Sequence, residues 1–128
     1  MHPTLIQASL RVQVAMAALG FPVKAYQGLR TTAQQRAEWA KGRTTPGPGV
    51  TPERPLGRTV TECDGIHSIS HHQAAKDGFG HAVDHCSAVG EAFPTLFPWH
   101  LMGEAGKALG LKWGGDFPKI DLDHLELP

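Results

Sequence analysis

The sequence predicts an α+β fold: a small antiparallel sheet with helices packed on one side and a cleft on the other. Three observations carry that prediction. Two stretches, near the start and near the end of the chain, repeat apolar residues at helical spacing, and several short stretches between and after them alternate like half-buried strands. The polar residues that carry chemistry collect in residues 70–84 and 121–126, away from the helical stretches. With 128 residues, 41% of them hydrophobic, the chain can bury one core and is short for two, so residues 1–128 are expected to form a single domain.

Each element has its own signal. Thr4 and Gln7 fit a capping box; Leu5, Val12, Met16 and Leu19 then fall on one stripe, and Gly20 is a natural stop. Residues 22–29 alternate loosely after a turn, which predicts a short strand running to Arg30. Thr32 and Gln35 fit a second capping box, opening a helix that carries Trp39 and ends near Gly42. Residues 42–57 are rich in proline and glycine and read as a long loop, placed to flank a substrate, and residues 59–63 as a short strand. Residues 80–86 predict a strand with Ala82, Asp84 and Cys86 on one face and His81, Val83 and His85 on the other. A third helix is expected over residues 98–109, with Leu101, Met102, Ala105 and Leu109 toward the core and Gly110 as its stop. Residues 111–113 and 124–127 close the fold as strands. Leu125 and Leu127 face one way in the last one, which leaves His124 and Glu126 together on the opposite, polar face.

Charge narrows the function. Twelve basic residues balance twelve acidic ones, so there is no broad electrostatic footprint for nucleic acid or an anionic membrane, and a nuclease is disfavoured. The N-terminal residues lack the basic start and apolar run of a secretory signal. No stretch approaches the ~18 apolar residues of a spanning helix, so neither membrane insertion nor export by a signal peptide is expected. Cys63 and Cys86 lack CxxC spacing and are expected to be free thiols in a reducing cytosol.

The polar clusters suggest a metal. Residues 70–84 contain His71, His72, His81, Asp77 and Asp84, and their counterpart near the end is Asp121-Leu122-Asp123-His124. A zinc ion held by two imidazoles and one carboxylate, with its fourth position left to water, needs that inventory. Most histidines are solvated or hydrogen-bonded and bind nothing, and His2, His67, His85 and His100 are assigned that way first. Of the two acidic residues before His124, Asp123 is expected to point to the opposite face of an extended chain, which favours Asp121 as the carboxylate beside the metal.

In order along the chain, Ser70-x-His72, Gly80-x-Ala82-x-Asp84, Trp113-Gly114-Gly115-Asp116 and Asp121-x-x-His124 resemble the signature of the zinc D-alanyl-D-alanine carboxypeptidase and L-alanyl-D-glutamate endopeptidase family, many of whose small members are phage endolysins. Gln27-Gly28-Leu29-Arg30-Thr31, Gln35, Gly42-Arg43-Thr44 and Pro46-Gly47 also resemble the upstream part of such enzymes. The resemblance implies that His72, Asp84 and His124 bind one zinc ion, that Asp121 is the general base, and that Arg30 steadies the scissile carbonyl as it becomes an oxyanion. Ser70 and Gln35 are then candidate substrate contacts, with His81 and Glu126 as supports behind the ligands. One departure is that His72 and Asp84 are twelve residues apart, wider than the family pattern, with residues 73–77 reading as an insertion. Either the insertion bulges outward and His72 keeps its role, which the surviving Ser-x-His frame favours, or His71 or Asp77 substitutes.

The function this implies is a metallopeptidase cutting peptidoglycan stem peptides, first as an L-alanyl-D-glutamate endopeptidase of the lysin type. Such a protein would act as a monomer and accumulate in the host cytoplasm until it is released to the cell wall. A D-alanyl-D-alanine carboxypeptidase is the sister reading. A non-catalytic zinc module that recognises the cell wall is the alternative from a different class.

Overall fold

A computed structural model describes residues 1–41, 61, 63 and 69–128. Its elements, in chain order, are α1 (Pro3–Ala18), β1 (Val23–Gln27), α2 (Thr32–Ala40), β2 (Ala82–Ser87), α3 (Trp99–Ala108), β3 (Lys112–Trp113) and β4 (His124–Glu126), with a short 3₁₀ turn at Gly114–Asp116. The fold is α+β, with one four-stranded antiparallel sheet and three helices among the described residues. The chain divides into two compact units, one of Met1–Gly28 with His81–Pro128 and one of Leu29–Gly80.

The first unit is built on α1. Its N-terminus is capped by His2, whose Nδ1 accepts the Thr4 N–H at 3.2 Å, with Pro3 at the first helical position. Proline suits that position because its φ is already helical and it has no N–H to leave unpaired. This replaces the expected Thr4–Gln7 box and starts the helix earlier. At the other end Phe21 N–H reaches the Met16 carbonyl and Gly20 N–H the Ala17 carbonyl, both at 3.0 Å, with Gly20 at φ 88°. That is a Schellman stop, which requires the left-handed backbone glycine adopts without strain. Leu19 already belongs to this cap, so it is 54% exposed and does not join the stripe that buries Leu5, Val12 and Met16.

The sheet order is β1-β2-β4-β3, every pair antiparallel. Val83 on β2 and Leu125 on β4 are cross-strand partners, both fully buried, and they meet Leu5, Val12 and Met16 of α1 and Met102 of α3 in one apolar core. On α3, Gly103 lies under the Trp113 ring, and a Cβ on Gly106 would stand 2.6 Å from Leu125 Cδ2. These two glycines let α3 lie close on β3 and β4, and Leu109, expected in the core, sits in the helix cap and is 36% exposed. Because residues alternate across a strand, the core side of β2 and β4 fixes what the other side presents: Asp84, His124 and Glu126.

The second unit holds α2 and the turns around His72. Thr31, not Thr32, is the N-cap: its Oγ1 accepts the Gln34 N–H at 3.1 Å, and Gln34 Oε1 accepts the Thr31 N–H at 2.8 Å. The box is one residue earlier than expected, so Gln34 stays on the surface and Gln35 is fully buried. The strand expected to run to Arg30 stops at Gln27, and Arg30 instead makes an isolated parallel bridge to Gln73, with its N–H on the His72 carbonyl at 2.7 Å. The loop expected over residues 42–57 lies outside the described residues, as does the strand over residues 59–63 apart from Thr61 and Cys63. Cys63 and Cys86 are not joined by a disulfide. Among the described residues no helix is long and apolar enough to cross a membrane.

Candidate metal centre

Strand pairing assembles one half of the site. Asp84 and His124 are cross-strand partners on the face opposite the core, and Glu126 follows His124 on the same face. His124 Nδ1 lies 3.0 Å from Asp84 Oδ1, and His124 Nε2 lies 2.8 Å from Glu126 Oε2. All three side chains are buried, between 7% and 9% exposed. A carboxylate only accepts, so both ring nitrogens must carry protons and the imidazole is a cation. Burial works to lower the pKa of His124, but the hydrogen bonds it donates to Asp84 and Glu126 together with the charges of Asp84 and Asp121 outweigh it and push the pKa up to about 10.

The approach to His124 is set by a close backbone crossing. Gly114 N-caps nothing, but its carbonyl accepts the Asp121 N–H at 2.9 Å, and a Cβ there would collide with the Asp121 carbonyl and stand 2.9 Å from His124 Cβ. This close approach gives the Trp113-Gly114 pair its physical meaning. Trp113 Nε1–H donates to the Leu122 carbonyl at 2.8 Å and ties the same turn from the other side. Asp121 Oδ2 then sits 3.7 Å from His124 Nδ1 on a half-exposed side chain.

Asp123 does not turn away as expected. It lies in the turn before β4, where strand alternation does not yet hold, and its carboxylate groups with those of Asp84 and Asp121. Burial, the hydrogen bond with Asp121 and the charges of Asp84 and Asp121 push its pKa up, to about 8. His85, first assigned as an ordinary histidine, is fully buried on the core face, with Nε2 2.9 Å from Ser9 Oγ. Burial, against the attraction of Asp84, brings its pKa down to about 4. His81 lies just before β2, with its ring edge-on to His2 at 5.4 Å and its carbonyl accepting the Leu127 N–H at 2.9 Å.

In the second unit, His72 is 3% exposed, and its N–H donates to Ser70 Oγ at 3.2 Å. Gly80 passes against it closely enough that a Cβ would stand 3.0 Å from the His72 carbonyl oxygen. Of the inserted residues Gln73 is buried against Arg30, and residues 74–77 run into an exposed turn: Ala75 N–H bonds the Phe79 carbonyl at 2.9 Å, Gly78 takes φ 83°, and Asp77 Oδ1 accepts the Phe79 N–H at 3.0 Å. His71 is exposed as well. Gln35, expected to touch substrate, is fully buried and both ends of its amide are bonded to protein.

Asp84 and His124, cross-strand partners in the first unit, bring a carboxylate and an imidazole together, and the pair could supply two ligands to a metal ion. An imidazole beside a carboxylate is part of the donor set that zinc takes. The surroundings of His124 fit too, because metal-ligating histidines characteristically give their second ring N–H to a carboxylate, as Nε2 does to Glu126. Nδ1 is then the nitrogen that would face a metal ion, in place of the proton it shares with Asp84.

No family model matches the chain. Among solved structures it is similar to that of the Serratia marcescens L-Ala D-Glu endopeptidase ChiX, with a TM-score of 0.50 and 20% identity over 100% of this chain and 80% of that one. At that identity the likeness is one of fold.

Proposed function

We propose that this protein is a zinc peptidase that hydrolyses peptide bonds in bacterial peptidoglycan stem peptides, as an L-alanyl-D-glutamate endopeptidase of the phage-lysin type. The observation that carries the reading is the buried Asp84 and His124 pair, with His124 Nδ1 3.0 Å from Asp84 Oδ1; His72 is the third ligand that the sequence resemblance supplies. The fold shared with an L-Ala D-Glu endopeptidase supports the substrate class. When bound by these residues, zinc would supply the Lewis acidity that makes water a nucleophile near neutral pH.

The residues of the chain divide the remaining work. Asp121, half-exposed and 3.7 Å from the ligand nitrogen of His124, is the general base that takes the proton from the attacking water. Arg30 is the fixed cation that offsets negative charge as the scissile carbonyl oxygen becomes an oxyanion. Glu126 holds the His124 ring in its ligating orientation. His81, its ring edge-on to His2, supports the start of β2, and the Ser70 hydroxyl, beside His72, is a donor for the substrate peptide.

Digestion of purified peptidoglycan, with and without a chelator and with new termini identified by mass spectrometry, tests the proposal. New L-alanine carboxyl ends that appear only with zinc support it. Release of terminal D-alanine would move the protein to the carboxypeptidase reading. Chelator-resistant cleavage would overturn the mechanism, and zinc binding without cleavage would leave a binding module.

A further inference from the structure

We infer that Trp113 is a positioning residue whose indole N–H holds the turn carrying Asp121, so that this carboxylate stands beside His124; the inference rests on the reading of Asp121 as the general base. Trp113 Nε1–H donates to the Leu122 carbonyl at 2.8 Å, at the middle of Asp121-Leu122-Asp123. Two further bonds fix the start of that turn: Asp121 N–H donates to the Gly114 carbonyl at 2.9 Å and His124 N–H to the Asp121 carbonyl at 3.3 Å. Asp121 Oδ2 lies 3.7 Å from His124 Nδ1. The turn gains little from burial, because Ile120, Asp121 and Leu122 are all exposed. Asp121 also shares a hydrogen bond with Asp123, but that partner belongs to the same turn and moves with it. The bonds from Trp113 and Gly114 therefore decide where the turn lies, since an exposed segment with few apolar contacts opens easily without them.

The indole can act as a fixed arm because it is itself held. Gly103 on α3 and Gly115 both lie against it, and a Cβ on either would collide with ring atoms. Lys107 Nζ stands 5.5 Å from the ring centroid and is tied to Glu104 at 3.1 Å and to Asp116 at 3.3 Å. Such exposed ion pairs add little to stability, but these two bracket the ring between α3 and the 3₁₀ turn. Trp113 is also the cross-strand partner of Leu125, the residue after His124, so the arm is rooted on the strand that carries the ligand. One ring thus sets the base relative to the histidine. A phenyl ring could keep the packing on the two glycines, but it has no donor for the Leu122 carbonyl.

The test compares Trp113→Phe, Asp121→Ala and the double variant, with zinc present. Trp113→Phe should lower kcat on peptidoglycan fragments by about 10- to 100-fold, the scale of misplacing a catalytic group by an ångström, with KM and zinc affinity close to wild type. In the Asp121→Ala background the same substitution should have no further effect on kcat. Hydrogen exchange reads the arm without activity. In wild type the Trp113 indole N–H should exchange more slowly than that of a solvated indole. In Trp113→Phe the Asp121 and His124 amides should exchange faster while those of β2 keep their rates, which separates a local arm from a general loss of stability. A wild-type Trp113 indole N–H that exchanges at the solvated rate, an unchanged Asp121 amide in Trp113→Phe, or an equal loss of kcat with and without Asp121 overturns the inference. The first of these needs no variant, so it decides even where Trp113→Phe does not fold. If the wild-type protein cleaves nothing, the reading of Asp121 as base fails, and the exchange rates still decide whether Trp113 holds the turn.

Discussion

Glu126 offers the sharpest test of how the ligand histidine is held. It accepts from His124 Nε2 at 2.8 Å, and both residues are less than a tenth exposed, so water cannot easily replace the contact. Loss of such a carboxylate behind a metal-ligating histidine costs about 10- to 100-fold in metal affinity, or about 1.4 to 2.7 kcal/mol. Glu126→Gln keeps an acceptor and loses the charge, so it should fall at the lower end; Glu126→Ala leaves Nε2–H unpaired and should reach the upper end. An opposing effect exists, because Glu126 also stabilises the proton that competes with zinc for Nδ1. It faces one positive charge in the protonated state and two in the zinc state, so the net result of its removal remains weaker zinc binding. Competition against a chromophoric zinc chelator measures this directly. Wild-type affinity in both variants would refute the assignment of Nδ1 to the metal and Nε2 to Glu126.

Other substitutions test the neighbouring parts of the site and fold. Asp121→Ala should keep zinc while losing about 10²- to 10⁴-fold in kcat, the usual contribution of a general base; loss of metal in the variant, read by elemental analysis, would make Asp121 a ligand. Gly114→Ala should lower both stability and activity, because its Cβ would displace the Asp121 carbonyl and crowd His124. Gly106→Ala should cost about 1–3 kcal/mol in denaturant unfolding, since its Cβ would meet Leu125 at 2.6 Å; a variant as stable as wild type would contradict the packing of α3 on β4. Gly20→Ala should cost about 1 kcal/mol by straining the helix stop at φ 88°.

Where strand alternation applied, the sequence was a good guide to direction. Leu125 between His124 and Glu126 was enough to put the two polar residues on one face, and Val83 beside Asp84 did the same on β2. Alternation failed at Asp123, which lies in a turn, so its carboxylate joins Asp121 and Asp84. At α1 the capping expectation missed because His2 and Pro3 start the helix before Thr4, and at α2 it missed by one residue because Thr31-Thr32 and Gln34-Gln35 offer two pairs at the same spacing. That offset decides whether Gln35 is on the surface or buried, and residue spacing alone could not reveal its bond to Arg30. The Gly114 crossing was visible only as a motif, since its cause is a backbone approach between residues far apart in sequence. The insertion after His72 could not be resolved from spacing. Its exposure follows from the turn that Gly78 and Asp77 close.

The account depends most on His72, Asp84 and His124 sharing one metal ion. Zinc titration of metal-stripped protein, followed by calorimetry in wild type and in His72→Ala, Asp84→Ala and His124→Ala, tests this directly. The account predicts a single tight site in wild type and a large loss of affinity in each variant, with the fold retained by circular dichroism. Wild-type binding in His72→Ala, or no tight site in the wild-type protein, would contradict it.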